Sequence, residues 1–260
     1  MAASIPQYPQ GRNLLAGKTV LITAAAGTGI GFAAAKRCIE EGAQVFVSDM
    51  HERRLGEAAA KLQSLSSQPV GSRVCDVTRQ ADVDALTQDA LDAMGRIDVL
   101  INNAGLGGSA AIVDMTDEQW AKVLDITLTS VFRMSRAVLP HMYARRSGVI
   151  VNNASVLGWR AQALQAHYAA AKAGVMAFTR CAAIEAAEHN VRVNAVAPSI
   201  AMHEFLARVT TPELLKDLAK REALGRPAET WEVANVMVFL ASDLSSFMTG
   251  EIVSVSSQHP

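Results

Sequence analysis

The sequence lacks a long apolar run, a strong charge of either sign and a pairing pattern among its cysteines. Half of its 260 residues are hydrophobic, yet no apolar stretch approaches the roughly 20 residues that a membrane span needs. The net charge of −1 argues against nucleic acid or a membrane surface as a partner. The three cysteines and six scattered histidines indicate neither a disulfide framework nor a metal site, and they favour a reducing cytoplasm.

Short apolar runs alternate with helical patterns along almost the whole chain. Runs typical of strands lie at residues 18–23, 44–48, 73–76, 98–101, 149–152, 192–196 and 251–255. Helical periodicity marks residues 30–41, 52–64, 79–94, 116–142, 166–188 and 230–241. Because apolar strands separated by helices form parallel sheets buried on both faces, we expect one doubly wound, Rossmann-like α/β domain of about seven strands.

Two segments lie outside this alternation. Residues 1–13 are polar and contain proline, so we expect a flexible N-terminal tail before a single domain over residues 14–260. Residues 199–226 form a long connection after the sixth strand. Because ligands bind beyond the carboxyl ends of strands in open α/β sheets, we expect a lid or substrate loop there. A surface excursion without a role is the alternative.

A glycine-rich turn follows the first strand and opens the first helix, in the sequence Thr23-Ala24-Ala25-Ala26-Gly27-Thr28-Gly29-Ile30-Gly31. Glycines there let backbone amides approach a pyrophosphate, whose charge the helix N-terminus favours. Asp49 ends the second strand, where a carboxylate accepts hydrogen bonds from adenosine ribose and repels a 2′-phosphate. This predicts NAD rather than NADP, although Arg53 or Arg54 could reach a 2′-phosphate.

Two more strand ends carry small or polar residues. Asn102-Asn103-Ala104-Gly105 follows the fourth strand and is either a cofactor contact or an ordinary turn. Asp76 ends the third strand, where it can bind an adenine amino group or cap the next helix.

Tyr168 and Lys172 lie four residues apart in a helical segment, with Ser155 upstream. Residues at this spacing share a helix face, and a cation there would lower the phenol pKa from about 10. Such a tyrosine can exchange a proton with a carbonyl or an alcohol, while the serine holds the reacting oxygen. The alternative is an aromatic residue packed on the core beside a solvated lysine.

These motifs occur in one order, followed by Asn194-Ala195-Val196-Ala197-Pro198, and together they resemble the short-chain dehydrogenase/reductase family. The resemblance implies hydride transfer to or from NAD, with Tyr168 as acid/base, Lys172 on the nicotinamide ribose and Ser155 on the substrate oxygen. It also implies a homotetramer or homodimer. The implied cofactor contacts are Thr23, Ala25, Gly27, Thr28, Gly29, Ile30, Gly31, Asp49, Asp76, Val77, Asn103, Ala104, Gly105, Tyr168, Lys172, Pro198 and Ile200.

Two departures from the family pattern affect this site. Ala24 replaces the usual first glycine, and the turn is one residue longer. The family also carries a proton-relay asparagine in the helix before Ser155, where this chain has Thr127. The Thr127 hydroxyl either holds a relay water or bonds back to the carbonyl of Val123.

Candidate substrate residues follow the catalytic serine and occur again in the expected lid. Trp159 offers an apolar plate, and Arg160 can meet a carboxylate or phosphate; a surface Trp/Arg pair is the alternative. Met202 and Phe205, with other apolar lid residues, either cover a hydrophobic substrate or only pack on the domain.

The wording of three segments resembles an actinobacterial subgroup of the family that is linked to breakdown of the sterol ring remnant as a coenzyme A thioester. The segments are residues 51–56, 153–162 and 256–260. This resemblance implies a bulky hydroxy or keto ring substrate. A 3-oxoacyl carrier reductase and a non-catalytic NAD-binding scaffold are the other two hypotheses.

Overall fold

A seven-stranded parallel sheet forms the centre of the molecule in a computed structural model, which describes residues 3–203, 206 and 212–258. The sheet order is β3-β2-β1-β4-β5-β6-β9. A separate pair, β7 and β8, also runs parallel. The strands are β1 (Thr19–Ile22), β2 (Gln44–Asp49), β3 (Gly71–Val74), β4 (Val99–Asn102), β5 (Gly148–Asn153), β6 (Val191–Pro198), β7 (Ala201–Met202), β8 (Ala228–Glu229) and β9 (Ile252–Val255).

Helices cover both faces of this sheet. In chain order they are α1 (Ile30–Glu40), α2 (Glu52–Gln63), α3 (Gln80–Met94), α4 (Asp117–Leu124), α5 (Ser130–Arg145), α6 (Ala166–Ala187), α7 (Pro212–Arg221) and α8 (Thr230–Ala241). The predicted doubly wound fold with seven parallel strands is therefore confirmed. The third strand begins two residues before its predicted start, at Gly71 instead of Arg73.

The predicted helix over residues 116–142 is interrupted by one π-helical turn, Asp125–Thr129, between α4 and α5. A π turn adds a residue to the helical repeat and commonly occurs at functional sites. Thr127 lies within this turn and is fully buried.

The central strand β1 is buried on both faces. Val20 and Ile22 pack into the core cluster that contains residues of α1 and α8. Leu21 points to the opposite face, into the cluster that contains residues of α3 and α5. Burial on both sides explains why the strand reads as a continuous apolar run instead of an alternating one.

The segment before Leu14, expected as a flexible tail, makes specific contacts with α1. The Tyr8 hydroxyl donates to Glu40 at 2.6 Å, and the Tyr8 ring lies edge-on to Trp231. Arg37 donates to the carbonyl of Pro9 at 3.2 Å, and Glu41 accepts from the backbone N–H groups of Arg12 and Leu14. These bonds hold the tail against its own chain.

The expected lid is only partly described. Ala201 and Met202 form β7, which pairs with β8. Residues Pro212–Arg221 form the helix α7 within this connection. Phe205 lies outside the described residues.

The described residues contain no candidate membrane span, metal site or disulfide. None of the helices there is long and apolar enough to cross a membrane. No group of His, Cys, Asp or Glu side chains in that part of the chain could hold a metal ion. Cys38, Cys75 and Cys181 are all free thiols.

Candidate active site

The glycine-rich turn leaves the start of α1 open to an anion. Gly29 caps α1 and supplies no side chain to its first N–H groups. A side chain at Gly27 or Gly29 would meet no atom within 4 Å. Free N–H groups and open space at a helix N-terminus are what a phosphate needs. The residues therefore fit the pyrophosphate of a dinucleotide.

Gly31 is required for a different reason, because the turn folds back against it. A Cβ atom there would lie 2.3 Å from the carbonyl oxygen of Ala24 and 2.5 Å from the amide nitrogen of Asn103. Such distances lie far inside van der Waals contact. Only glycine allows this close packing.

Ala24 adopts a left-handed backbone conformation, which favours glycine. Its φ is +51°, in the left-handed region that costs an L-residue roughly 1–2 kcal/mol. Its carbonyl accepts from the Asn103 side chain at 3.0 Å, and the next N–H, of Ala25, donates to Ser48 at 2.9 Å. The surrounding hydrogen bonds thus retain the turn despite the substitution.

Thr23 ties the end of β1 to the segment after β4. Its hydroxyl accepts from the N–H groups of Asn103 at 3.0 Å and Ala104 at 3.2 Å. The stretch after Asn102 is therefore bonded directly to the glycine turn, as the cofactor interpretation requires.

Asp49 lies at the carboxyl end of β2, beside the same turn. Its carboxylate accepts from the N–H of Ala26 at 3.3 Å and of His51 at 3.0 Å. Burial raises the pKa of Asp49, while the Ala26 hydrogen bond and the charge of Arg54 oppose that shift. The carboxylate can still accept from ribose hydroxyls there.

Asp76 turns its carboxylate toward its own loop. It accepts from the Thr78 N–H at 3.0 Å and from the Thr78 hydroxyl at 2.7 Å. The helix cap position belongs to Arg79, which begins α3 without a side-chain cap. Asp76 therefore closes an Asx turn before the helix and does not cap it.

Ser155, Tyr168 and Lys172 come together at the end of β5. Ser155 follows this strand; its hydroxyl accepts from the N–H of Leu157 at 3.2 Å and lies close enough to the Tyr168 hydroxyl to act on the pKa of the phenol. The Lys172 ammonium is buried, lies 5.6 Å from the centre of the Tyr168 ring and donates to the carbonyl of Asn153 at 2.5 Å. The side chains of Ser155, Tyr168 and Lys172 therefore lie next to one another.

The electrostatics of this pair differ from the sequence expectation. Burial raises the pKa of Tyr168 to about 12, although its bond with Ser155 acts in the opposite direction. Burial also lowers the pKa of Lys172 to about 7. The net shift of the phenol pKa is therefore upward, opposite to the expected lowering, because burial penalises the charged forms of both groups.

Thr127 forms a reciprocal pair of hydrogen bonds with Leu106. Its hydroxyl accepts from the Leu106 N–H at 2.9 Å and donates to the Leu106 carbonyl at 3.1 Å. The alternative of a bond back to the Val123 carbonyl is therefore wrong. The neighbouring Gly105 would place a Cβ 3.4 Å from the Lys172 nitrogen and 3.9 Å from Thr127. The π turn and this loop thus border the lysine.

The loop after Ser155 packs closely on α6. A Cβ at Gly158 would lie 2.6 Å from the terminal methyl of Met176. Trp159 is half exposed and follows directly. Arg160 then donates to the side-chain oxygen of Gln258 and, at 3.2 Å, to its carbonyl. Sequence patterns did not indicate this partner.

Gln258 belongs to a C-terminal hydrogen-bond network, which we define as Arg160, Glu222, Ser257 and Gln258. The buried Glu222 accepts from the Ser257 hydroxyl at 2.7 Å and from the Gln258 amide at 2.8 Å. The network thereby joins the loop after Ser155 to the residue that follows α7.

Three further residues were expected to contact the cofactor. Val77 is half-buried after β3, Pro198 ends β6, and Ile200 is buried beyond that strand.

The protein-family model described as enoyl-(acyl carrier protein) reductase matches residues 24–257 of this chain. With this match and the relatives below, the chain belongs to the short-chain dehydrogenase/reductase family and is an oxidoreductase. It is 61% identical, over 98% of both chains, to the (5R,7aS)-5-hydroxy-7a-methyl-1-oxo-2,3,5,6,7,7a-hexahydro-1H-indene-carboxyl-CoA reductase of Mycobacterium tuberculosis.

Two further relatives span nearly the whole chain. A 3-oxoacyl-(acyl-carrier-protein) reductase of Thermotoga maritima is 38% identical over 93% of this chain and 97% of its own. The crystal structure of a short chain dehydrogenase from Mycobacterium smegmatis is 56% identical, covers 99% of both chains and gives a TM-score of 0.89. The resemblance noted in the sequence, including its sterol-degrading subgroup, agrees with these matches.

Proposed function

We propose that this protein interconverts the ketone and the secondary alcohol of a fused-ring coenzyme A thioester, with NAD as its cofactor. The observation that carries the proposal is the placement of Ser155 and Tyr168 together beside the buried Lys172. The 61% identity to a reductase named for such a thioester supports the substrate class.

Each of these three residues has a distinct task in the reaction. In reduction, the Tyr168 hydroxyl donates its proton to the ketone oxygen, and in oxidation it takes the proton back. The Ser155 hydroxyl donates a hydrogen bond to the same oxygen and fixes its position. Lys172 would bind the ribose hydroxyls nearest the reacting ring. The nicotinamide, when bound, supplies or accepts the hydride.

The glycine turn and Asp49 would hold the other end of the cofactor. Backbone N–H groups at the start of α1 bind the pyrophosphate, and Asp49 accepts from the adenosine ribose. Arg53 donates to Glu57 at 2.6 Å on the exposed face of α2, which leaves it less available for a 2′-phosphate. This pairing supports NAD over NADP.

The substrate would meet Trp159, Arg160 and Met202, with Phe205 from the lid as a further candidate. Trp159 is half exposed and can cover an apolar ring. The hydrogen bonds of Arg160 go to a neutral amide, so its charge can still pair with a carboxylate or phosphate of the thioester.

A panel of three ketones tests the substrate class through NADH absorbance. It comprises a bicyclic keto acyl-CoA thioester, acetoacetyl-CoA and a simple cyclic ketone. We expect kcat/KM for the bicyclic thioester to exceed that for acetoacetyl-CoA by about 100-fold, the upper range of discrimination by apolar pocket contacts. Equal or better turnover of acetoacetyl-CoA would contradict the proposal.

The cofactor preference is tested by comparing NADH with NADPH in the wild type and in Asp49→Ala. The wild type should prefer NADH, and the variant should lose most of that preference because its repulsion of the 2′-phosphate is gone. Arg53→Ala serves as the control, and it should leave the ratio of the two kcat/KM values unchanged. A wild type that prefers NADPH would refute the NAD assignment.

The second candidate function is a 3-oxoacyl carrier or thioester reductase, favoured by the 38% identity to the Thermotoga maritima enzyme. The same panel separates the two, since this candidate requires acetoacetyl-CoA as the preferred substrate. A non-catalytic NAD-binding scaffold would bind NADH and reduce none of the three ketones.

We also propose a homotetramer or homodimer that works in the cytoplasm. Exposed apolar residues on the long helices, Phe132 on α5 and Ile184 on α6, support a contact between copies. The free thiols of Cys38, Cys75 and Cys181 support a reducing compartment. Light scattering of the purified protein measures the assembly, and a monomer would contradict it.

A further inference from the structure

The sequence Asn-Asn-Ala occurs twice at the carboxyl ends of the strands, next to the site. The second copy has no assigned role. Asn102 and Asn103 end β4 and begin its loop, while Asn152 and Asn153 end β5. Asn102 lies opposite Asn152 in the parallel register. Because side chains alternate along a strand, the two pairs occupy opposite faces of the sheet.

One pair serves the interior of the fold. The Asn102 amide donates to Asn152 at 2.9 Å, and the Asn152 amide donates to the hydroxyl of Thr179 at 2.9 Å. Thr179 is fully buried in α6. These bonds fasten α6 to the sheet and do not reach the glycine turn.

The other pair connects the catalytic lysine with the phosphate-binding turn. The carbonyl of Asn153 accepts from the Lys172 ammonium at 2.5 Å, and its side-chain amide donates to Asn103 at 2.9 Å. The Asn103 amide in turn donates to the carbonyl of Ala24 at 3.0 Å. Three hydrogen bonds therefore lead from Lys172 to the glycine turn, and Asn153 contributes to two of them.

Stability alone gives a poor reason for an asparagine at this position. The side-chain oxygen of Asn153 is buried and has no hydrogen-bond partner in the described part of the chain. A buried acceptor without a partner costs about 1–3 kcal/mol. Residues that break local rules of stability in this way concentrate at functional sites.

We propose that Asn153 is a positioning residue, which fixes Lys172 relative to the turn that binds the cofactor pyrophosphate. This inference rests on the proposed function. The nicotinamide ribose and the pyrophosphate are joined by a short covalent link in one ligand, so the groups that bind them must keep a separation that this link can span. The three hydrogen bonds that lead from Lys172 through Asn153 and Asn103 to Ala24 would maintain that separation.

The test is a fluorescence titration of NADH into the wild type, Asn153→Leu and Asn153→Asp, with each melting temperature measured in parallel. Every variant keeps the Asn153 carbonyl, so only the side-chain link is removed. We expect Asn153→Leu to raise the Kd for NADH about tenfold, the effect of one lost buried hydrogen bond. Asn153→Asp, similar in shape but without the amide donor, answers the question if the leucine variant does not fold.

Asn152→Ser is the matched control, because it alters the neighbouring asparagine on the opposite face. It should lower the melting temperature and leave the Kd for NADH unchanged. The proposal is overturned if the folded Asn153 variants bind NADH as tightly as the wild type, or if Asn152→Ser weakens binding equally.

The titration needs no ketone, which separates this inference from the proposed function. A wild type that binds NADH but reduces no ketone refutes the function and leaves the Asn153 comparison valid. A wild type that binds neither NADH nor NADPH overturns both.

Discussion

The Lys172 ammonium lies 5.6 Å from the centre of the Tyr168 ring and donates to the main-chain carbonyl of Asn153. The lysine is thus held by the backbone of β5 and influences the phenol across space. Its position depends on the strand, while its charge depends on how strongly the enclosure penalises it. The following predictions address these two properties and the residues around them.

Tyr168→Phe should abolish proton transfer and keep the cofactor site. We expect kcat to fall by about 10²–10⁴-fold, the usual contribution of a general acid, with the Kd for NADH nearly unchanged. Tyr143→Phe is the control, since that ring stacks on His189 and should leave both constants alone. Retained turnover in Tyr168→Phe would show that another group supplies the proton.

Without added cofactor, the free energy of unfolding of the protein should rise with pH because of Lys172. Its pKa is lowered from 10.5 to about 7, so between these values the unfolded chain binds a proton that the folded chain does not. The free energy of unfolding should therefore rise with pH, by at most about 1.4 kcal/mol per pH unit from this group. That contribution is lost as the pH falls from 10.5 to about 7, below which both states bind the proton.

Urea unfolding at several pH values from about 7 to about 9 measures this effect. Other groups titrate in the same range, so the informative quantity is the difference between the wild type and Lys172→Met. The rise should be smaller in the variant. Parallel pH dependences would mean that Lys172 keeps an ordinary pKa in the folded chain.

Thr127→Val should remove both hydrogen bonds to Leu106. Two backbone groups of the half-buried Leu106 then lose a partner, at up to about 1–3 kcal/mol each, and the loop beside Lys172 loses its attachment to the π turn. We expect lower kcat and lower stability, whereas Thr127→Ser retains both bonds and most activity. Steady-state kinetics and urea unfolding measure the two effects.

Thr87→Val provides the comparison for that experiment. Thr87 is also buried, but it bonds to the Val83 carbonyl within α3. It should lose some stability and no kcat. Equal loss of kcat in the two valine variants would assign Thr127 a purely structural role.

Gly31→Ala should disrupt the cofactor turn, because its Cβ would overlap the Ala24 carbonyl and the Asn103 amide. We expect the Kd for NADH to rise at least about tenfold, as the turn must move to relieve an overlap worth more than 1.4 kcal/mol. Gly56→Ala, in the open interior of α2, should instead stabilise the protein by roughly 0.5–1 kcal/mol. Unimpaired NADH binding by Gly31→Ala would be inconsistent with the cofactor assignment.

The sequence predicts the sheet well because its signal is local. Each strand of the centre is a short apolar run between turn residues, as in Thr19–Ile22, and each crossover helix has its own periodicity. The π turn at Asp125–Thr129 is different, because one extra residue per turn leaves the apolar stripe almost unchanged. The prediction of one continuous helix was therefore wrong at the π turn, which contains Thr127.

The site was predictable where its parts form a motif and not where they depend on tertiary burial. Ser155 and Tyr168 come together as their spacing implies, yet the phenol pKa is raised because burial outweighs the opposing effect of Ser155. Likewise, the partners of Thr127 and Arg160 lie on segments far away in the chain, at Leu106 and Gln258. A periodic pattern within a short stretch of sequence cannot reveal contacts between such distant residues.

The contact between Arg160 and Gln258 joins residues 98 positions apart. During synthesis, the loop after Ser155 leaves the ribosome long before its partner exists. The C-terminal hydrogen-bond network can close only after the last strand, β9, has been made and has joined the sheet beside β6. The support for the loop after Ser155 is therefore completed only once Gln258 has been made, and a chain that stops short of Gln258 lacks this support.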